Sequence, residues 1–218
     1  MPQTNGSEAP RLSRLQRERS RVTKRKLLEA ASRLAATNGF EATTVADICE
    51  EAGVAKGTFY FYFPRKEDIL LEMGLITSDR VAAETLSALE GDEPTIDILR
   101  RAITGIASRV QRTPKDLLEL TILELHRRRP EWPQYRGERH DFASIFTAIF
   151  WRAQQRGEIP SEFGPRELAS MLGPSILNGM AAWATDQVFG VPLEVVLWRR
   201  ALVVYNGAKA GLGLDAPA

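Results

Sequence analysis

From Lys66 to Gly211 the apolar residues recur at three- and four-residue spacing, and seven prolines (Pro94, Pro114, Pro130, Pro133, Pro160, Pro165 and Pro192) cut that pattern into segments of helix length. No run of alternating β-branched residues bounded by turn residues competes with it. The punctuation predicts helices at about 66–90, 95–112, 115–128, 134–157, 166–186 and 193–211. Three shorter helices precede them, so the expected class is all-α with about nine helices.

The 218 residues, 44% hydrophobic and 26% charged, suffice to bury a core and are too apolar for a disordered chain. A single cysteine, Cys49, excludes an intrachain disulfide and a cysteine zinc cage, and fits a reducing, cytoplasmic setting. Residues 1–21 are polar, with no apolar stretch of the kind a secretion signal needs. The uncharged stretch 168–185 is barely long enough to cross a bilayer and contains Gly173, Pro174 and Asn178, so it reads as a buried helix.

The formal charge of +1 hides an asymmetry. Met1–Lys66 holds twelve basic and seven acidic residues, a net +5, and Glu67–Ala218 holds seventeen and twenty-one, a net −4. Two modules with different partners are the natural reading. Residues 1–17 are expected as a disordered basic tail, 18–65 as one domain and 66–218 as a second. Between Arg11 and Arg33 stand nine basic and two acidic residues, enough to follow a phosphate backbone, although a solvated tail would look the same.

The first helix is predicted over about Ser20–Asn38, with Leu27, Ala31 and Leu34 on one face, and Asn38-Gly39 stops it. Thr44 with Asp47 three residues on forms a capping-box pattern that opens the second helix. Val45, Ile48, Cys49 and Ala52 share its apolar side, which makes Cys49 a small buried residue. Gly53 turns the chain into a third helix, about Lys56–Phe61, ended by Pro64. Three helices with a tight glycine turn between the last two present a recognition helix to a major groove. The free N–H groups at Thr44 suit a phosphate. Lys56 suits a phosphate or a guanine edge, Gly57 a close backbone approach, and Thr58 a thymine methyl. The hydroxyls of Tyr60 and Tyr62 and the charge of Lys66 suit phosphates. Phe59 and Phe63 are expected to point inward and lock the helix.

The stretch Thr43–Leu70, T-T-V-A-D-I-C-E-E-A-G-V-A-K-G-T-F-Y-F-Y-F-P-R-K-E-D-I-L, resembles the helix-turn-helix signature of the tetracycline-repressor (TetR) family of bacterial transcription regulators. The similarity extends upstream through Lys26–Phe40 and covers about residues 20–72. The resemblance implies a homodimer of all-helical subunits. Each would carry an N-terminal three-helix DNA-binding domain and a larger C-terminal helical domain for effector binding and dimerisation, and the dimer would act on a palindromic double-stranded operator, with repression as the sign the resemblance implies. By the same resemblance Thr44, Lys56, Gly57, Thr58, Tyr60, Tyr62 and Lys66 are expected to touch DNA. Ala55 departs from the family at a place where a hydroxyl is frequent, and Phe61 stands where a polar or tyrosine side chain is common, which argues against a base contact from it.

An effector cavity is expected between the C-terminal helices, with the helix at 66–90 as the lever. Candidate contacts are Met73, Glu124, His126, Phe146, Phe150, Trp151 and Asn178, with Arg109, Glu119, Trp132, Tyr135 and Trp183 as further anchors or walls, and a largely apolar small molecule is the expected ligand. Each is also ordinary core or surface chemistry. Leu172, Ile176 and Met180 on one helix and Leu197, Ala201 and Val204 on the next are expected to face a twofold copy in a four-helix bundle, the competing reading being that both stripes fill the subunit's own core.

An enzyme is the contrasting class. The only histidines, His126 and His140, lack a glutamate three residues before them, so they make no paired di-metal motif. No phosphate-cradling glycine loop, nucleophile elbow or zinc-protease motif occurs, so neither a cofactor nor a metal is expected. A DNA-packaging protein without sequence preference is disfavoured by the acidic C-terminal part.

Overall fold

The computed structural model describes residues 8–128, 139–188 and 190–211, with side-chain surroundings from Glu18 onward. Nine helices form among them: α1 (Glu8–Asn38), α2 (Val45–Ala52), α3 (Lys56–Tyr62), α4 (Asp68–Leu89), α5 (Thr95–Val110), α6 (Lys115–Arg127), α7 (Phe142–Gln155), α8 (Pro165–Ala184) and α9 (Leu193–Ala210). No strand occurs among the described residues. The chain divides into two compact units, Met1–Ile69 and Leu70–Ala218, and the division falls inside α4.

Two helix starts differ from the sequence expectation. α1 begins at Glu8 rather than near Ser20. The added stretch is rich in Arg, Leu, Gln and Glu, which lose little side-chain freedom in a helix, and Pro10 falls in the first turn, where its missing N–H breaks no bond. α7 begins at Phe142 rather than near 134, because Asp141 caps it: its carboxylate accepts from Ser144 N at 2.8 Å while Asp141 N donates to Ser144 Oγ at 3.0 Å. Trp132, Tyr135 and the expected helical residues 134–138 lie outside the described residues.

The C-terminal unit is built around one apolar core. Leu99, Ile103 and Ile106 of α5 meet Phe146, Ile149 and Phe150 of α7, all essentially solvent-free. α8 packs between α7 and α9 and also touches α6, while α9 rests on α5. Gly179 sets the α8–α9 spacing, since a Cβ there would lie 2.8 Å from Arg200 Cδ and Nε and 3.0 Å from Leu197 Cδ2. Polar ties finish the unit. Glu158 Oε2 accepts from Thr95 N at 3.3 Å and from the Tyr205 hydroxyl at 3.1 Å, joining the start of α5 to α9. Burial and the adjacent Glu158 carboxylate push the Tyr205 hydroxyl well above the ordinary tyrosine range. Arg139 donates to Asp79 Oδ2 at 2.6 Å and Glu72 Oε1 at 2.7 Å, pinning the approach to α7 onto α4. Burial opposes the Arg139 charge, but the Asp79 and Glu72 carboxylates outweigh it and raise its pKa.

No helix of the described residues is long and apolar enough to cross a membrane.

Candidate nucleic-acid interface

The N-terminal unit is organised to hold α3 rigidly from behind. Thr44, in extended conformation, caps α2: Asp47 N donates to Thr44 Oγ1 at 3.2 Å and Thr44 N donates to Asp47 Oδ2 at 2.8 Å. The bonds from the Thr44 backbone and hydroxyl hold the Asp47 carboxyl below its usual value. Gly53 ends α2 at φ +66°, ψ 41°, the left-handed conformation that favours glycine, and its N–H satisfies a carbonyl of the last turn. Ile48, Cys49 and Ala52 are buried on the side of α2 turned to α1, and burial raises the Cys49 thiol. Arg33 of α1 pairs with Glu51 of α2 at 3.0 Å.

α3 is fixed by its aromatic residues. Phe59 is 0% and Phe63 1% exposed, their rings 5.5 Å apart, and Lys24 Nζ of α1 stands 5.6 Å over the Phe63 ring. The Tyr62 hydroxyl donates to Ser20 Oγ of α1 at 3.0 Å. The opposite side of α3 is open: Lys56, Gly57, Tyr60 and Phe61 are all exposed and Thr58 is half-buried. Lys56 has no salt-bridge or hydrogen-bond partner among the described residues. Gly57 has nothing within 4 Å of where a Cβ would stand and does not need a left-handed backbone, so the fold itself gives no reason for glycine there. Glycine inside a helix costs about 1 kcal/mol relative to alanine, a cost that nothing within the unit explains.

Lys66 is placed differently from expectation. Its Nζ donates to the carbonyls of Phe40 at 3.0 Å, Glu41 at 3.3 Å and Thr43 at 3.1 Å, and stands 4.6 Å over the Phe40 ring. It clamps the α1–α2 connection from the chain beyond α3. Lys66 reads as a phosphate contact from residue spacing alone, because nothing in that spacing announces bonds to three backbone carbonyls. The Tyr62 hydroxyl is likewise engaged within the unit, and Thr44, though exposed, is tied through its N–H and hydroxyl to Asp47, which leaves Lys56, Gly57, Thr58 and Tyr60 as the outward members of the expected set.

Residues 27–73 match the family model described as bacterial regulatory proteins, tetR family. That stretch is a TetR-family regulatory domain. Among the relatives, the HTH-type transcriptional repressor KstR of Mycolicibacterium smegmatis is 28% identical over 174 residues, 79% of this chain and 82% of that protein. The fatty acid metabolism regulator protein of Bacillus subtilis is 26% identical over 166 residues, 73% of this chain and 82% of that protein. The solved structure of Thermus thermophilus FadR, a TetR-family transcriptional repressor in complex with lauroyl-CoA, matches with a TM-score of 0.72 at 24% identity, covering 89% of this chain and 98% of that one. The regulator thus has the family's fold, a helix-turn-helix domain followed by a larger helical domain.

In the C-terminal unit the expected effector contacts do not converge. Phe146 and Phe150 are buried in the packed core, and Glu124 is buried with Arg128 Nε 3.1 Å from its Oε1. Met73 is half-buried, whereas His126, Trp151 and Asn178 are exposed. Two open clefts, of about 580 Å³ beside Val81, Thr85 and Ile98 and about 290 Å³ beside Lys115, Trp183 and Asp186, include none of these seven. The expected dimer stripe is also used differently. Leu172, Ile176, Met180, Leu197 and Ala201 are 0–2% exposed within the single subunit, and Val204 packs partly buried against the same cluster. Helical periodicity marks a buried face without saying whether the chain itself or a copy covers it. The outward positions lie a step around each helix, at Met171 and Asn178 on α8 and Val195 and Val203 on α9.

Proposed function

We propose that this TetR-family regulator is a ligand-responsive repressor that binds a palindromic operator as a homodimer through α3 and leaves it when a small, largely apolar effector binds the C-terminal unit. The observation that carries the DNA-contact assignment is the open outer face of α3, Lys56, Gly57, Tyr60 and Phe61, set against an inner face locked by Phe59 and Phe63. Donors, a bare backbone position and an exposed aromatic on one side of a helix suit a groove that mixes phosphates with base edges. The α2 N-terminus beside Thr44 adds a phosphate contact.

Dimerisation in this reading uses the outward residues of α8 and α9, Met171, Val195 and Val203, supported by their exposure of 45%, 36% and 74%. The FadR complex with lauroyl-CoA makes fatty acyl thioesters, whose acyl chain is the apolar part and whose CoA part is charged, the first effector class to examine. In this reading the effector opens a space beside Met73, Glu124, Phe146 and Phe150 that is packed shut in its absence, and α4 carries the response to the N-terminal unit. Differential affinity of the effector for the DNA-incompetent state is what would release the operator.

Footprinting on DNA flanking the protein's own gene, with and without lauroyl-CoA, is the test. Protection of a palindrome that survives moderate salt, with half-sites about one or more helical turns apart, is expected. Protection that stays independent of sequence would refute operator recognition, and protection unchanged by acyl-CoA would refute that effector class.

A further inference from the structure

The most exposed large apolar side chain among the described residues is Phe61, at 79%. It does not sit on the C-terminal unit, where a subunit interface is proposed, but on the outer face of α3 beside Lys56, Gly57 and Tyr60. Its ring makes a T-shaped contact with Tyr62 at 5.1 Å and 85°, and Tyr62 is in turn tied to Ser20 of α1. A phenyl ring positioned from behind and bare in front has no role in the unit's core, which Phe59 and Phe63 fill.

We propose that Phe61 is a specificity-determining residue that reads a thymine C5-methyl in each operator half-site. The proposal rests on α3 being the DNA-reading helix. A phenyl ring neither donates nor accepts a conventional hydrogen bond, so against guanine, adenine or cytosine edges it strips water from polar atoms and returns nothing. The thymine methyl is the one apolar group that the base pairs present in the major groove. Phe61 therefore favours thymine through contact with that methyl and disfavours cytosine at the same place, a role the family comparison at this position argued against.

The test uses a duplex enriched from a random pool by the full-length wild-type protein, in which each thymine is replaced in turn by deoxyuridine, removing only the methyl. At one thymine per half-site the wild type is expected to bind about 4-fold more weakly without the methyl, and about 15-fold more weakly with both half-sites altered, the value of burying one methyl-sized group. Phe61→Ala is expected to bind the thymine and uracil duplexes equally, at the wild type's uracil level, with an unchanged thermal midpoint because the ring is exposed. Phe61→Leu, which keeps an apolar tip, is expected to retain part of the discrimination and serves if the alanine variant folds poorly. A wild type indifferent to every uracil, as a side chain wedged between base steps would be, overturns the proposal. So does a Phe61→Ala protein that keeps the full uracil penalty. If the wild type enriches no sequence, α3 is not a reading helix and the underlying assignment falls as well.

Discussion

Replacing Lys66 with alanine separates a clamp from a phosphate contact. In the clamp the ammonium serves three carbonyls at 3.0–3.3 Å and the face of Phe40 at 4.6 Å. A hydrogen bond from a charged donor nets about 1.5–3 kcal/mol and an exposed cation–ring contact about 0.5–1 kcal/mol. The three bonds share one charge, the site is only half-buried, and water rehydrates the freed carbonyls, so the net loss works out at about 2 kcal/mol. Because all four tryptophans lie beyond the N-terminal unit, at 132, 151, 183 and 198, their fluorescence is a poor reporter of it. Native-state hydrogen exchange followed by mass spectrometry resolves the unit directly, and amides of α1 to α3 that open with the unit should exchange about 30-fold faster in Lys66→Ala. Operator affinity should fall too, but with the same dependence on salt, since no phosphate partner is removed. Unchanged exchange together with a salt slope shallower by about one phosphate would refute the clamp and restore Lys66 to the DNA surface.

Other substitutions probe the remaining parts of the account. Gly57→Ala should stabilise the N-terminal unit by about 0.5–1 kcal/mol in denaturant melts, since the site is open, while weakening operator binding, and a variant that binds as well as the wild type would remove the argument from close approach. Asp47 has a folded pKa below the unfolded one, so its contribution is present above about pH 4 and lost as pH falls through the lowered value. The gap in thermal midpoint between wild type and Asp47→Asn should accordingly be present at pH 6–7 and close in strong acid. Phe150→Ala removes a fully buried ring and should cost about 3–5 kcal/mol by denaturant unfolding. A small effect there would show that Phe150 lines a ligand space rather than a filled core.

What the sequence made legible was local. The Thr44–Asp47 cap, the left-handed Gly53, the buried side of α2 with Cys49 and the inward Phe59 and Phe63 each follow from spacing of a few residues, and each has the expected geometry. The engagement of Lys66 and Tyr62 was not legible, because Lys66 meets carbonyls 23 to 26 residues away and Tyr62 meets Ser20 at a separation of 42. Nor was the use of the α8 and α9 stripes. Leu172 and Leu197 have the period of a buried face, and only the packing of α8 between α7 and α9 decides that the subunit buries them itself. The effector residues were chosen by chemistry without distance, and Asn178 and Trp151 prove to be exposed while Phe146 and Phe150 are not.

The central claim is that the outer face of α3 recognises a particular sequence. It is tested most directly by the ratio of dissociation constants for an enriched operator and a scrambled duplex of equal length at physiological salt, measured for the wild type and for Lys56→Ala and Tyr60→Ala. A wild-type preference of about a thousandfold or more is expected, reduced in both variants, with folding intact. Equal affinity for the two duplexes, or a preference untouched by either substitution, would contradict it.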